Sequence, residues 1–181
     1  MPFLEVLTRC HKRPKMLAVN RASLAAQTCD DWTQTLLVDD IGIGIGAATE
    51  RMAAYAPRLV GNYVWMLDDD DTCIMPDFVE GLRFIVADSD PDVIFVRMDH
   101  GSGRILPDRQ WGHAPQCGEI GISAFVVRRE VWQAHAGAMI PGKYTSDFEF
   151  ISSIYQSFPL IVYWWDVVAS KVQRQSLGDA E

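Results

Sequence analysis

The sequence lacks a long hydrophobic run. No stretch reaches the roughly 18 consecutive apolar residues that a membrane span needs, and the N-terminus has no basic segment followed by an apolar core. Cysteine is scarce, with four residues that lie far apart and form no close pair of the zinc or redox type. These absences predict a cytoplasmic protein with no membrane span and with reduced, structural cysteines.

Positive charge is also in short supply. The chain has 16 Lys and Arg against 24 Asp and Glu, a formal net charge of −8. Direct binding to a nucleic-acid backbone needs a basic face, so this composition argues against nucleic acid as the main ligand, although a nucleotide could bind through a cation. The 181 residues, 49% of them hydrophobic, suffice for one globular domain with a full core.

What the sequence does have is a run of four aspartates, Asp68 to Asp71, directly after the apolar segment Tyr63 to Leu67. The aromatic and β-branched content of that segment predicts a buried strand, and the carboxylates that end it cannot enter a core. Like charges held this close are costly unless a cation neutralises them. We expect Mg²⁺ or Mn²⁺, which brings a phosphate or diphosphate with it. The simpler interpretation is a solvated acidic loop without a function.

Segments of strand and helix composition alternate around this run. Strands are also predicted at Phe3 to Thr8, Thr35 to Val38 and Asp92 to Met98, and helices at Lys15 to Gln27, at Ala47 to about Ala56 and from Pro76 onward. The alternation predicts an α/β fold with a mostly parallel sheet flanked by helices. Ligands bind beyond the carboxyl ends of such strands, where Thr8, Asp39 and Asp68 would meet.

The second half of the chain is less regular. The Gly-, Pro- and charge-rich stretch from His100 to Gly118 predicts an irregular excursion with a possible hairpin. Beyond it we expect strands at Ile122 to Val127 and Leu160 to Trp164, and helices at Arg129 to Ala136 and Asp147 to Tyr155. No repeat or linker indicates a second domain, so residues 1–181 are predicted to form one.

Six short motifs, in order, carry a resemblance to the inverting family 2 glycosyltransferases of the GT-A fold. They are Thr8 with Arg13-Pro14, Gln27-Thr28 with Leu37-Val38-Asp39-Asp40, Leu67 to Asp71, Pro76-Asp77-Phe78, Val127 to Val131, and Ser146 to Glu149. The resemblance covers most of the chain. It implies that residues 1 to about 98 bind a nucleotide sugar and that residues from about 99 to 181 form a smaller acceptor-binding half.

The same resemblance implies roles for the acids. Asp39 would lie at the nucleobase, in a pocket that Thr8, Arg13 and Asp40 help to form. In the Asp-x-Asp metal motif, Asp68 would approach ribose and metal and Asp70 would bind the metal directly, with Asp69 and Asp71 as the alternative pair. Asp147 would be the general base, with Glu149 next in line.

The chain departs from the family pattern at three places. A Gly-rich turn, Ile41 to Gly46, replaces the usual Gly-Ser-x-Asp, and only Arg51 and Arg58 are candidates for a diphosphate-facing cation in the short stretch that follows. Near the C-terminus Gln173 stands where the family often has a histidine ligand, which implies weaker metal binding.

Several features have two interpretations. The glycines after Asp40 superficially fit a dinucleotide fingerprint, but the two aspartates place negative charge where a pyrophosphate should meet a helix. Trp111 could stack on a sugar ring or simply pack locally. Asp147 could be only a helix N-cap.

Together these observations predict a metal-dependent glycosyltransferase that moves a sugar from a nucleotide sugar, a UDP-sugar first, to an acceptor hydroxyl. The alternatives are a nucleotidyltransferase on a similar sheet and a non-catalytic domain that binds nucleotide sugars or carbohydrates. The sequence does not identify the acceptor, and a homodimer is possible.

Overall fold

The computed structural model describes residues 1–101, 103–110, 113–139, 145–157 and 160–173. Within these residues the chain forms eight strands and five α-helices. The strands are β1 (Leu4–Cys10), β2 (Trp32–Val38), β3 (Tyr63–Met66), β4 (Asp71–Cys73), β5 (Val93–Asp99), β6 (Ile105–Leu106), β7 (Phe125–Arg128) and β8 (Val162–Val172). The helices are α1 (Pro14–Ala25), α2 (Gly44–Tyr55), α3 (Phe78–Ser89), α4 (Arg129–His135) and α5 (Ser146–Tyr155).

One sheet joins all the described strands, in the order β2, β1, β3, β7, β5, β8, β4, with β6 paired to β5. Strands β1, β2, β3, β5 and β8 run in one direction, whereas β4, β6 and β7 run in the other. The predicted mostly parallel α/β sheet flanked by helices is therefore confirmed.

Residues of the central strands alternate between two hydrophobic cores, one on each face of the sheet. In β3, Val64 and Met66 face the core that α2, α4 and α5 cover, while Tyr63 and Trp65 face the core under α1 and α3. Because both faces are buried, these strands are apolar at nearly every position, as expected for parallel strands between helices.

Three features of the sheet were not predicted. Strand β7 lies antiparallel between β3 and β5, so the fourth parallel strand of the sequence prediction is not a neighbour of the first three. The short β4 begins inside the aspartate run, at Asp71, and pairs with the end of β8. The last strand is also much longer than the predicted Leu160 to Trp164. No helix in the described part of the chain combines the length and apolar character that a bilayer crossing requires.

Candidate active site

A cavity of about 770 Å³ opens beyond the carboxyl ends of β1, β2 and β3. Arg9, Asp39 and Asp68 line its wall on the side of the first half of the chain, and Met98 and Asp147 belong to the opposite wall. A cavity of this size suits a small-molecule or cofactor ligand. The strand-end carboxylates of the sequence prediction thus do converge, and Asp147 joins them.

The aspartate run, Asp68–Asp71, here called the acid loop, is partly neutralised by two arginines. Arg9 binds Asp68 with two nitrogens, Nε at 2.8 Å from Oδ1 and Nη2 against Oδ2. Arg13 bridges two neighbouring carboxylates, with Nη2 on Asp69 and Nη1 on Asp70. Two protein cations therefore offset part of the charge, whereas the sequence prediction considered only a metal ion.

The backbone of the acid loop is held by amide side chains from distant parts of the chain. The buried Asn20 donates from Nδ2 to the carbonyl oxygens of Asp68 and Asp71, both at 2.9 Å. Gln34 in turn donates to Asn20 Oδ1 and to the hydroxyl of Thr8, both at 2.8 Å. These bonds hold the backbone at both ends of the acid loop.

Gln173 completes this support. Its backbone amide donates to the carbonyl oxygen of Asp70 at 2.7 Å, and its side-chain amide donates to the carbonyls of Met16 and Asp69 at 3.1 Å. The position that the family resemblance assigns to a histidine ligand therefore anchors the acid loop instead.

The four acids differ in environment. Asp69 is buried and accepts hydrogen bonds from the His11 backbone amide and from Arg13. Burial, together with the negative charges of Asp68 and Asp70, raises the pKa of Asp71 well above its ordinary value. Asp68 and Asp70 are the partly exposed members that line the cavity beside Arg9 and Arg13.

Asp39 shapes another wall of the cavity. Its carboxylate accepts the backbone amides of Gly42 and Ile43 at 2.8 Å and of Ile41 at 3.2 Å. Desolvation opposes ionisation, but these bonds hold the pKa of Asp39 below its ordinary value. The left-handed backbone of Gly42, with φ +80°, allows this turn beside the His11 ring.

Asp147 lies in the first turn of α5, facing the cavity. Its Oδ1 accepts the backbone amide of the next residue, Phe148, at 2.8 Å. It is not the N-cap residue, which is Thr145. Burial raises the pKa of Asp147, and the nearby positive charge of Arg9 partly offsets that effect. A carboxylate in such a position is a candidate general base.

The carboxylates around the cavity offer few free oxygens to a divalent ion. Among the described residues, no three His, Cys, Asp or Glu side chains are close enough to hold a metal ion. Both oxygens of Asp68 accept hydrogen bonds from Arg9, whereas Oδ1 of Asp70 has no hydrogen-bond partner among the described residues. Magnesium is commonly held by one or two carboxylates plus substrate phosphates and waters. A divalent ion at these residues would therefore depend on oxygens from a diphosphate and from water.

Other predicted site residues lie elsewhere. Thr8 is fully buried behind the cavity, and its hydroxyl accepts the bond from Gln34. Asp40 is exposed, and neither it nor Glu149 lines the cavity. Trp111 lies outside the described residues. Their proposed roles in donor or acceptor binding stay predictions.

The cavity also contains residues that the sequence analysis did not single out as site residues. These are Arg9, His11, His100 and Arg104. Arg104 donates from Nη2 to the carbonyl of Gly118, another lining residue, at 2.8 Å. Of the two arginines named as diphosphate-facing candidates, Arg51 lines the cavity and Arg58 does not. No sequence signal paired Arg9, which lies in β1, with Asp68.

No protein-family model and no curated protein sequence matches the chain. The structure resembles S. aureus TarS 1-349 in complex with UDP-GlcNAc, with a TM-score of 0.71 and 11% identity over 97% of this chain and 59% of that one. It also resembles the mannosyltransferase PcManGT from Pyrobaculum calidifontis, in complex with GDP-Man and Mn²⁺, with a TM-score of 0.64 and 11% identity. That match covers 98% of this chain and 58% of PcManGT.

A third match is A197 from STIV, with a TM-score of 0.54 and 15% identity over 92% of this chain and 82% of that one. By contrast, the chain spans about three fifths of the length of TarS 1-349 and of PcManGT. At such identities the likeness concerns architecture alone. The chain has the GT-A fold found in glycosyltransferases.

Proposed function

We propose that the chain transfers a sugar from a nucleoside-diphosphate sugar to an acceptor hydroxyl, with inversion at the anomeric carbon. The observation that carries this proposal is the single cavity in which a GT-A fold brings together Asp39, the acid loop and Asp147. Strand-end acids at one side and a partly buried carboxylate at the other suit a donor and an acceptor that meet between them.

The donor we propose is a UDP-sugar. Two of the TarS structures that this fold resembles contain UDP and UDP-GlcNAc, and PcManGT contains GDP-Man. Both support a nucleoside-diphosphate sugar as the donor class. The turn fixed by Asp39 would receive the nucleobase, while the diphosphate would lie towards the acid loop.

In the proposed reaction Asp147 takes the proton of the acceptor hydroxyl as the oxygen attacks the anomeric carbon. The bond from that carbon to the diphosphate oxygen breaks on the opposite face, and its electron pair leaves with the nucleoside diphosphate. Because attack and departure occur on opposite faces, the configuration inverts. The raised pKa of Asp147 makes it a stronger base than an exposed aspartate.

Asp70, together with Asp68 if that carboxylate releases Arg9, would hold Mn²⁺ or Mg²⁺. When bound, such an ion neutralises negative charge on the diphosphate. Since the described protein groups offer so few free oxygens, we expect the ion to bind weakly alone and more tightly with a nucleotide.

The test is calorimetric titration of UDP, and then GDP, with and without Mn²⁺, on the parent protein and on Asp70→Ala. We expect UDP binding that Mn²⁺ strengthens and a loss of that strengthening in the variant. Asp88→Ala is the matched control, because Asp88 is an exposed acid of α3 away from the cavity.

Hydrolysis or transfer of candidate UDP-sugars would then identify the sugar. Nucleotide binding without any turnover would favour the non-catalytic binding domain. If neither nucleotide binds under any condition, the proposed function is wrong and the likeness is one of fold only.

A further inference from the structure

Arg9 is the most deeply placed cation of the cavity whose guanidinium still has a free donor. Its Nε and Nη2 are both committed to Asp68, and its side chain is 18% exposed. Its remaining nitrogen, Nη1, has no hydrogen-bond partner among the described residues. A guanidinium held bidentately on one edge is fixed in plane and direction, so the free edge is an oriented donor.

The other cavity arginines are engaged differently. Arg13 donates hydrogen bonds from its two terminal nitrogens to Asp69 and Asp70. Arg51 and Arg104 are exposed residues whose guanidinium groups bind backbone carbonyls at the rim. Arg13 also keeps its Nε without a partner among the described residues, but that nitrogen is buried from solvent. Arg9 is less exposed than Arg13, at 18% against 26%, and its free Nη1 is not among the buried unpartnered atoms.

Arg9 also lies among the acids on which the proposed chemistry depends. It is the second-last residue of β1, and its charge interacts with Asp70 and Asp147 as well as with Asp68. A positive charge between the acid loop and Asp147 lies where the diphosphate of a donor would meet the acceptor.

We propose, on the basis of the glycosyl transfer proposed above, that Arg9 is a catalytic residue whose Nη1 donates to the donor diphosphate, and that Asp68 is its positioning residue. As the bond from the anomeric carbon to the diphosphate oxygen breaks, the electron pair stays on that oxygen. The acceptor oxygen bonds to the anomeric carbon, and its proton passes to Asp147. Arg9 stabilises the charge that develops on the leaving oxygen, from a position fixed before the reaction.

The experiment compares uridine and UDP in EDTA by calorimetry, so that no metal contributes to the difference. In the parent protein UDP should bind at least about tenfold more tightly than uridine, because hydrogen bonds to charged groups are typically worth this much or more. Arg9→Gln should reduce that ratio to about twofold or less without changing the affinity for uridine, and Arg9→Lys should keep part of it.

Arg83→Gln is the matched control. Arg83 forms a surface ion pair with Asp31, outside the cavity, so this variant should keep the parent ratio. Because Arg9→Gln leaves Asp68 without its partner, Arg9→Gln with Asp68→Asn provides a second variant in which both charges are removed. The uridine affinity of each variant also shows whether the nucleoside pocket is intact.

Asp68→Asn distinguishes positioning from metal binding. If Asp68 positions Arg9, the variant lowers the ratio of UDP to uridine affinity in EDTA and keeps the strengthening of UDP binding by Mn²⁺. If Asp68 is instead a metal ligand, the ratio in EDTA stays at the parent value and the Mn²⁺ effect disappears, which overturns the positioning role.

The role of Arg9 is overturned if the parent protein binds uridine and UDP equally in EDTA, or if Arg9→Gln keeps the parent ratio of UDP to uridine affinity. In either case, nucleotide binding with Mn²⁺ still supports the proposed function. Failure of UDP, GDP and their nucleosides to bind even with Mn²⁺ overturns both.

Discussion

Asn20 offers the sharpest test of how the acid loop is held in place. Its side chain is fully buried on α1, donates to two carbonyls of the acid loop at 2.9 Å and accepts from Gln34 at 2.8 Å. Asn20→Ala removes all three bonds. At a net value of about 1 kcal/mol each, the loss is about 3 kcal/mol.

Two effects keep the loss of stability from exceeding that value. Both acid-loop carbonyls keep a second donor, the Asp71 amide for Asp68 and the Gln173 side chain for Asp71, so neither becomes an orphaned acceptor. Alanine is also the better helix former, by about 0.5 kcal/mol. The expected net loss is therefore about 2–3 kcal/mol, or about 5–10 °C in the melting temperature of a domain of this size.

The assay is denaturant unfolding followed by circular dichroism, with Asn62→Ala as the control. Asn62 is exposed, so its substitution should change stability by about 0.5 kcal/mol or less. A double-mutant cycle with Gln34→Ala should show coupling of about 1 kcal/mol between the two amides. If Asn20→Ala costs no more than Asn62→Ala, the amide network does not hold the acid loop.

Three further predictions concern single side chains. Asp147→Asn should lower the transfer rate by about 10²–10⁴-fold while UDP affinity stays unchanged. In the parent protein the rate should fall at acid pH with an inflection above the ordinary aspartate pKa, because burial raises the pKa of Asp147, and this inflection should be absent in the variant. A variant as active as the parent would rule out Asp147 as the base. Tyr63→Phe removes the hydroxyl bond to the Pro91 carbonyl at 2.6 Å and should cost about 1 kcal/mol at neutral pH. Because burial raises the Tyr63 pKa from 10.0 to about 12, the stability it contributes is complete below pH 10.0 and is lost as the pH rises through about 12, so unfolding at pH 7 and pH 11 should differ less in the variant. Gly81→Ala should destabilise the protein by about 1–3 kcal/mol, although alanine has the better helix propensity, because the new Cβ would lie 2.7 Å from Trp165 Cζ2. A variant more stable than the parent in thermal unfolding would contradict that packing.

The sequence predicted those parts of the fold that local pattern determines. The apolar segments became β1, β2, β3 and β5 because their residues pack against helices on both faces. Strand β4 could not be predicted, because Asp71-Thr72-Cys73 has poor strand composition and is a strand only through its pairing with β8. The insertion of β7 between β3 and β5 depends on contacts across tens of residues, which no local pattern records.

The candidate site shows the same division. That Asp39, Asp68 and Asp70 meet at one edge followed from the order of the strands, and Asp147 followed from a family resemblance. The partners of these acids did not follow, since Arg9 and Asp68 are far apart in sequence and pair only after the sheet has formed. Gln173 showed as the loss of a ligand, and its role as an anchor became visible only in three dimensions.

The anchoring of the acid loop by Gln173 has a consequence for the order of events during folding. Gln173 bonds to the carbonyl of Met16, 157 residues earlier, and β8 is the one described strand that pairs with β4. Contacts of such long sequence separation carry a high closure entropy and form late in a folding reaction. During synthesis, β1 to β3 can assemble while the ribosome is still translating the second half. We therefore expect the acid loop to reach its final geometry only after residue 173 has left the exit tunnel, so the proposed affinity for nucleotides should appear later than the secondary structure.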